Sequence, residues 1–287
     1  MRKWETSHVD GFDTYIFDMD GVIWVGAEAV PGAAATITRL QERGKRVLFL
    51  TNNSTRTRQE YVTKLSKFGI KCSKSDIYSS AYAAAAYIES QSFSGTVYLI
   101  GEDGVAQEIE DAGIGIVRAK DLFGQKHILP SEMEKMDIPS GINGVVVGQD
   151  FEFTWTKLAF ATFILHRDHS CLFVSTNQDQ TFPSSRTLPG TGAVVAAVKT
   201  AAMRDPVNVG KPSTFLIDYI IKHYDIERSK TLMIGDRLNT DIAFGKDSGL
   251  GTCLVLTGVS SLDDVRDPTN KTIPDFYLSS AGSMFDE

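Results

Sequence analysis

The sequence is short of several things, and each shortage narrows the field. No apolar run approaches the ~20 residues that a membrane-spanning helix needs, so no membrane partner is expected. Cysteine occurs three times, at Cys72, Cys171 and Cys253, with no CxxC spacing. An odd, scattered set is not a disulfide framework and suits reduced thiols in a cytoplasmic protein. The five histidines, His8, His127, His166, His169 and His223, are dispersed. His166 and His169 could share a helix face, but a zinc site would need further ligands near them. Dense Lys/Arg runs are absent, and 29 basic residues stand against 36 acidic ones for a net charge of -7. That balance argues against a nucleic-acid partner. It leaves anionic small molecules open, because a locally positive cleft can hold them on an acidic protein. The opening MRKWETSHVDGF has no apolar stretch of the signal-peptide kind, so no such segment is expected.

What is present is an ordinary globular composition. Of 287 residues, 42% are hydrophobic, enough for one large or two ordinary domains without a metal or disulfide staple. Short apolar runs alternate with helical patterns. TYIFDMDG and KRVLFLTNN read as strands, and AAATITRLQERG and TRQEYVTKLSKFG as helices closed by Gly44 and Gly69. This order predicts an α/β protein with a doubly wound, mostly parallel sheet. The grammar resumes with VNVGKP, KTLMIGD, GTCLVLTG and IPDFYLSS as strands. STFLIDYIIKHYDI and NTDIAFGKDSG read as the helices between them. A middle stretch has its own strands, TVYLIGED, NGVVVGQD and CLFVSTNQD, and its own helices. The expected layout is therefore a core from 1–89 and 206–287, with an inserted α/β domain at 90–205. Residues 119–141 show no clear periodicity and are expected to form a loop with one short helix at most.

Four motifs carry candidate chemistry, each at the carboxyl end of an expected strand, where open α/β sheets bind ligands. Asp18-Met-Asp20-Gly21 places two carboxylates on the same side of an extended segment, and Gly21 permits a sharp turn beside an anion. Two such charges repel unless a cation intervenes, and oxygen ligands suit magnesium. Thr51-Asn52-Asn53-Ser54 offers a hydroxyl and backbone amides for an anion. Lys211 in Gly-Lys-Pro-Ser can neutralise phosphate charge, with Pro212 at a plausible first helical position. Asp236 ends the strand TLMIG. Asp241, five residues on, could support a metal or hold Lys211. Singly, each motif has a commonplace structural reading: a solvated turn, a helix cap, a surface lysine, a helix-start carboxylate. Together and in this order they describe a metal-and-phosphate site.

DMDGV, LFLTNNS, VGKPS and GDRLNTDI resemble the four motifs of the haloacid-dehalogenase superfamily, and the resemblance covers essentially the whole chain. TNNSTRTR, STNQDQTFP, PGTGAVVAAV and LVLTGVSS are similar to the eukaryotic 4-nitrophenylphosphatase and phosphoglycolate phosphatase branch, whose relatives include pyridoxal phosphate phosphatases. The resemblance implies a Rossmann-like core with a large inserted α/β cap. It further implies Asp18 as nucleophile, and Asp20 as general acid and base with its carbonyl on magnesium. Thr51 and the amides of Asn52 and Asn53, with Gly21, would bind phosphate. Lys211 would steady the nucleophile, Asp236 would ligate Mg2+ and Asp241 would support it. The implied substrate is a small phosphorylated metabolite, 2-phosphoglycolate first. Asn177 and Asp179, near Pro183 in a loop of the insertion, are candidates for substrate contact. A homodimer through the cap would be unsurprising in this branch. A phosphotransferase, a phosphoprotein phosphatase and a non-catalytic relative are the competing classes. The intact DMDG opposes the last.

Overall fold

The computed structural model describes residues 1–124, 128–182 and 187–286. His127 and Pro183 lie outside the described residues. The chain divides into two compact units, one of Met1–Thr51, Arg58–Tyr78 and Lys211–Glu287, the other of Asn52–Thr57 and Ser79–Gly210.

The first unit is built on a seven-stranded sheet. In spatial order its strands are Arg2–Lys3, Phe276–Leu278, Gly251–Val255, Thr231–Gly235, Thr14–Phe17, Arg46–Thr51 and Ile77–Ser79. The central pairings are parallel, with Ile16 opposite both Met233 and Leu48. The two central strands are buried along their whole length, as a parallel sheet covered on both faces requires. Their side chains join one core that includes Phe17, Trp24, Phe49, Ile234 and Val255. The two expected helices form as Ala33–Glu42 and Arg58–Lys67, ending just before Gly44 and Gly69. IPDFYLSS supplies the short strand Phe276–Leu278.

The second unit has a separate five-stranded parallel sheet in the order Val207–Asn208, Leu172–Ser175, Ile142–Val147, Thr96–Ile100 and Gly115–Val117. Its helices Asp103–Asp111, Trp155–Arg167 and Thr191–Ala202 form where the sequence pattern placed them. Phe160, Ile164 and Leu165 are core residues of this unit, packed with Tyr98 and Val145. The helix Ser80–Ser90 also belongs to it.

Three sequence expectations are corrected. VNVGKP was assigned to the core sheet, but Val207–Asn208 pairs with Val174–Ser175 at the edge of the second sheet. A two-residue edge strand has too little pattern to specify its partner. Residues 119–141 hold two short helices, Ala119–Phe123 and Pro130–Met133, where at most one was expected. Pro212 does not open the following helix. The Lys211–Pro212 bond is cis, and the helix begins at Phe215.

Candidate active site

In the first unit, residues far apart in sequence meet at the carboxyl ends of the central strands. Asp18 follows Thr14–Phe17 directly, and its N–H extends the ladder by donating to Ile234 O at 2.8 Å. Asp236 follows Thr231–Gly235 in the neighbouring strand. Lys211 is 3% exposed, and its ammonium donates to Asp18 Oδ1 and Asp241 Oδ1, each at 2.6 Å, and to Leu50 O at 3.2 Å. Asp241 turns its other oxygen to the backbone: Oδ2 accepts from the N–H groups of Asp236 and Arg237 at 3.2 and 3.0 Å. Asp236 Oδ2 accepts from Val259 N at 2.7 Å. Thr51 ends its strand and is buried.

This crowding sets the electrostatics. Burial pushes the Asp18 carboxyl well above the ordinary range. Lys211 opposes that rise, and the charges of Asp241 and Asp236 add to it. Burial, reinforced by Asp241, raises Asp236 to about 7, against the lowering effect of the Val259 N–H, Arg237 and Lys211. For Lys211, burial works downward, but the carboxylates of Asp18 and Asp241 more than offset it and hold the ammonium charged. Oxygens of Asp18, Asp236 and Asp241 lie within 4.8 Å of one another. Three buried carboxylates facing one ammonium leave a surplus of negative charge. A hard divalent cation, which takes carboxylate oxygens, fits that surplus.

The glycines of the site are tightly constrained. Gly21 has φ +84°, and a Cβ there would lie 2.5 Å from Asp236 Oδ2. A Cβ on Gly258 would lie 1.9 Å from the same atom. Both positions therefore let backbone approach the Asp236 carboxylate as no larger residue could. Asp20 is half-buried, and its Oδ1 accepts from the indole Nε1 of Trp24 at 2.8 Å.

The remaining candidates lie in the second unit. Asn52 Nδ2 donates to Asp179 Oδ1 at 2.9 Å. The carbonyl of Asn52 accepts from Ser80 Oγ at 2.5 Å and from Asn177 Nδ2 at 2.7 Å. Asn177 is itself 2% exposed, and its Oδ1 accepts from Asp179 N at 3.1 Å. The loop carrying Asn177 and Asp179 is thus tied to the second motif by three side chains. Asn53 closes a local turn, its Oδ1 accepting from the N–H and hydroxyl of Thr55 at 3.0 and 2.7 Å.

Sequence reasoning passed over Trp24, the Leu50 carbonyl and the Gly258–Val259 backbone. Of these, only Trp24 left a signal, as an indole donor four residues after an aspartate in a turn.

A parallel α/β core with an inserted second α/β unit, and a buried cluster of aspartates around one lysine, define a class of hydrolase. Comparison with known proteins places the chain within it. Residues 15–115 match the family model of the haloacid dehalogenase-like hydrolases, and residues 208–282 match a second model, HAD-hydrolase-like. The chain is 39% identical over 275 residues to phosphoglycolate phosphatase 1A, chloroplastic, of Arabidopsis thaliana, covering 94% of this chain and 76% of that one. It is 34% identical over 281 residues to the 4-nitrophenylphosphatase of Schizosaccharomyces pombe, covering 96% and 94%. Among solved structures, it is similar to the glycerol phosphate phosphatase of Mycobacterium tuberculosis in complex with magnesium. That match has a TM-score of 0.82 and 28% identity over 100% of this chain and 79% of the other. The chain belongs to the haloacid dehalogenase-like hydrolases, in the branch of the phosphoglycolate phosphatases and 4-nitrophenylphosphatases. Among the described residues, no helix is long and apolar enough to cross a membrane.

Proposed function

We propose that this chain is a magnesium-dependent phosphomonoesterase of small phosphorylated metabolites, with 2-phosphoglycolate as first substrate, and that it works through an aspartyl-phosphate on Asp18. The observation that carries the reading is the environment of Asp18: a buried carboxylate at a strand end, gripped through one oxygen by Lys211 at 2.6 Å. With Oδ1 held, Oδ2 is the oxygen left to attack. Phosphoglycolate phosphatase 1A is 39% identical, the glycerol-3-phosphate phosphatase of Rattus norvegicus 38% and the 4-nitrophenylphosphatase 34%, so phosphoglycolate is the first substrate to try by a narrow margin. The glycerol phosphate phosphatase makes glycerol phosphate the second substrate to try.

Asp18, Asp236 and the Asp20 carbonyl would hold Mg2+, with Asp241 behind them. The bound ion supplies positive charge that lets an anionic phosphate approach an anionic nucleophile. Asp18 then attacks phosphorus in line with the leaving oxygen. The Asp18 O–P bond forms as the ester P–O bond breaks, and Asp20 gives its proton to the departing alkoxide. Water next attacks the same phosphorus, Asp20 takes the water's proton, and the Asp18 O–P bond breaks to release inorganic phosphate. One carboxyl serves as acid and then as base. Lys211, Thr51, Gly21 and the amides of Asn52 and Asn53 steady the phosphoryl oxygens. Asn177 and Asp179 set discrimination between substrates through their hold on Asn52. A cytoplasmic, soluble enzyme whose second unit could mediate a homodimer completes the reading.

The test is Asp18→Asn. The amide oxygen can still accept from Lys211, so the fold should survive while turnover disappears. Substantial phosphate release by the pure, magnesium-loaded variant would overturn the nucleophile assignment. Product analysis without an alcohol acceptor separates hydrolase from phosphotransferase, since only a hydrolase frees inorganic phosphate.

A further inference from the structure

We infer that Trp24 is a positioning residue for the acid–base aspartate: its indole N–H fixes Asp20 so that the transferable proton sits on Oδ2. The inference rests on the phosphomonoesterase reading above.

Trp24 is fully buried, and its ring belongs to the core of the first unit. The turn between Asp20 and Trp24 is closed from both ends. Gly21 N donates to Trp24 O at 2.7 Å, and Trp24 N to Met19 O at 3.3 Å. The ring packs 5.8 Å from that of Phe68, and the Lys64 ammonium stands 3.7 Å from its centroid. An indole so placed has little freedom, and its Nε1 meets Asp20 Oδ1 at 2.8 Å.

The chemistry of the donor decides the consequence. An indole N–H donates and cannot accept. The hydroxyl oxygen of a carboxylic acid is a poorer acceptor than its carbonyl oxygen, so the indole N–H favours the carbonyl at Oδ1. The protonated form of Asp20 therefore carries its proton on Oδ2, with Oδ1 as the carbonyl oxygen that Trp24 engages. The cation over the ring draws density from the π system and sharpens the N–H as a donor. Asp20 is thus presented with one oxygen held and one free, which an unrestrained carboxyl rotating about its Cβ–Cγ bond would not be.

Leaving-group dependence distinguishes this role from ordinary core packing. An alkoxide is a poor leaving group and needs the proton as the P–O bond breaks, whereas 4-nitrophenolate departs without much help. General acid assistance is worth roughly 10²–10⁴ in rate, so mispositioning the acid should remove part of that factor for alkyl esters only. kcat/KM reports the steps through ester cleavage and is the quantity to compare. Two variants serve: Trp24→Phe, and replacement of Trp24 by 3-benzothienylalanine, which keeps the ring's shape and puts sulfur where the N–H was. The second keeps the test decisive if the Phe variant folds poorly. The expected result is a fall of about 10- to 100-fold in kcat/KM for 2-phosphoglycolate, or for glycerol phosphate if that is the better substrate. For 4-nitrophenyl phosphate the fall should be under about threefold, since its leaving group draws little on the acid. Equal falls for both esters, or no fall with the isostere, would overturn the positioning role. A wild-type chain that hydrolyses neither ester would instead overturn the phosphatase reading, and this inference with it.

Discussion

Lys211→Met removes the one ammonium that Asp18 and Asp241 share. Lys211 is 3% exposed, with 2.6 Å bonds to both carboxylates and a third bond to a backbone carbonyl. Hydrogen bonds to charged groups are worth about 1.5–3 kcal/mol each. Stripping one partner from a buried ion pair costs about 3–5 kcal/mol, because a charge is left without compensation. Three such bonds would sum to about 4.5–9 kcal/mol if each counted in full, but the ion-pair figure already includes their loss, so about 3–5 kcal/mol is expected for the metal-free protein. Methionine keeps the volume and the apolar stem, so little of the loss should come from a cavity. The carboxylates left behind can escape part of the cost by taking up protons, so the variant should recover stability as pH falls. Asp241→Asn in the Lys211→Met background tests the same reasoning from the other side. The amide oxygen can still accept from the Asp236 and Arg237 N–H groups, while one stranded charge disappears. The double variant should therefore be more stable than Lys211→Met alone, with a coupling of about 1–3 kcal/mol in a double-mutant cycle. Urea denaturation in the presence of a chelator, followed by circular dichroism and fluorescence, measures all four proteins. A single variant within about 1 kcal/mol of wild type, or strictly additive substitutions, would refute the claim that Lys211 is held by charge.

Three further outcomes are expected. Activity should need magnesium, and calcium should not replace it, since calcium takes more oxygen ligands at longer distances; full turnover with calcium alone after chelation would contradict this. Asp236 is raised to about 7 from 3.8, so between those values the folded, metal-free protein holds a proton that the unfolded chain has lost. Its stability should therefore decline as pH rises through that window, and stabilisation by magnesium should grow as it does; thermal denaturation with chelator and with magnesium at about pH 5 and 8 would expose a flat response as the contrary result. Asp179→Ala should change the ratio of kcat/KM between 2-phosphoglycolate and 4-nitrophenyl phosphate by about three- to tenfold through loss of its bond to the Asn52 side chain, and an unchanged ratio would place specificity elsewhere.

The parts of this molecule that were legible in the sequence are those where one residue type does one thing over several positions. TYIF and TLMIG read as buried strands because every position is apolar or small, and both are buried throughout. The residues at their ends, Asp18 and Asp236, were legible because a carboxylate after an apolar run is out of place. What the sequence hid falls into two kinds. Backbone donors leave no side-chain signature, so the Val259 N–H on Asp236 could not be read from TGVSS. Short edge elements leave too little pattern, so Val207–Asn208 was assigned to the wrong sheet. The bond from the Asn177 amide to the carbonyl of Asn52 was likewise not legible, because its acceptor is backbone.

Asp241 shows how two competing readings of one residue can both hold. As a helix-start carboxylate it should bond backbone N–H groups; as a partner of Lys211 it should face the site. Leu238–Ile242 forms a π-helical turn, in which the N–H of Ile242 reaches back five residues to the Arg237 carbonyl. Oδ2 then accepts from the two N–H groups while Oδ1 holds the ammonium. The backbone bonds fix the carboxylate, the fixed carboxylate fixes Lys211, and Lys211 fixes one oxygen of Asp18. Gly235 is part of the same arrangement, because a Cβ there would lie 2.1 Å from that of Asp241. The order of the Asp18 carboxylate therefore traces back to a backbone turn, passed on through Asp241 and Lys211.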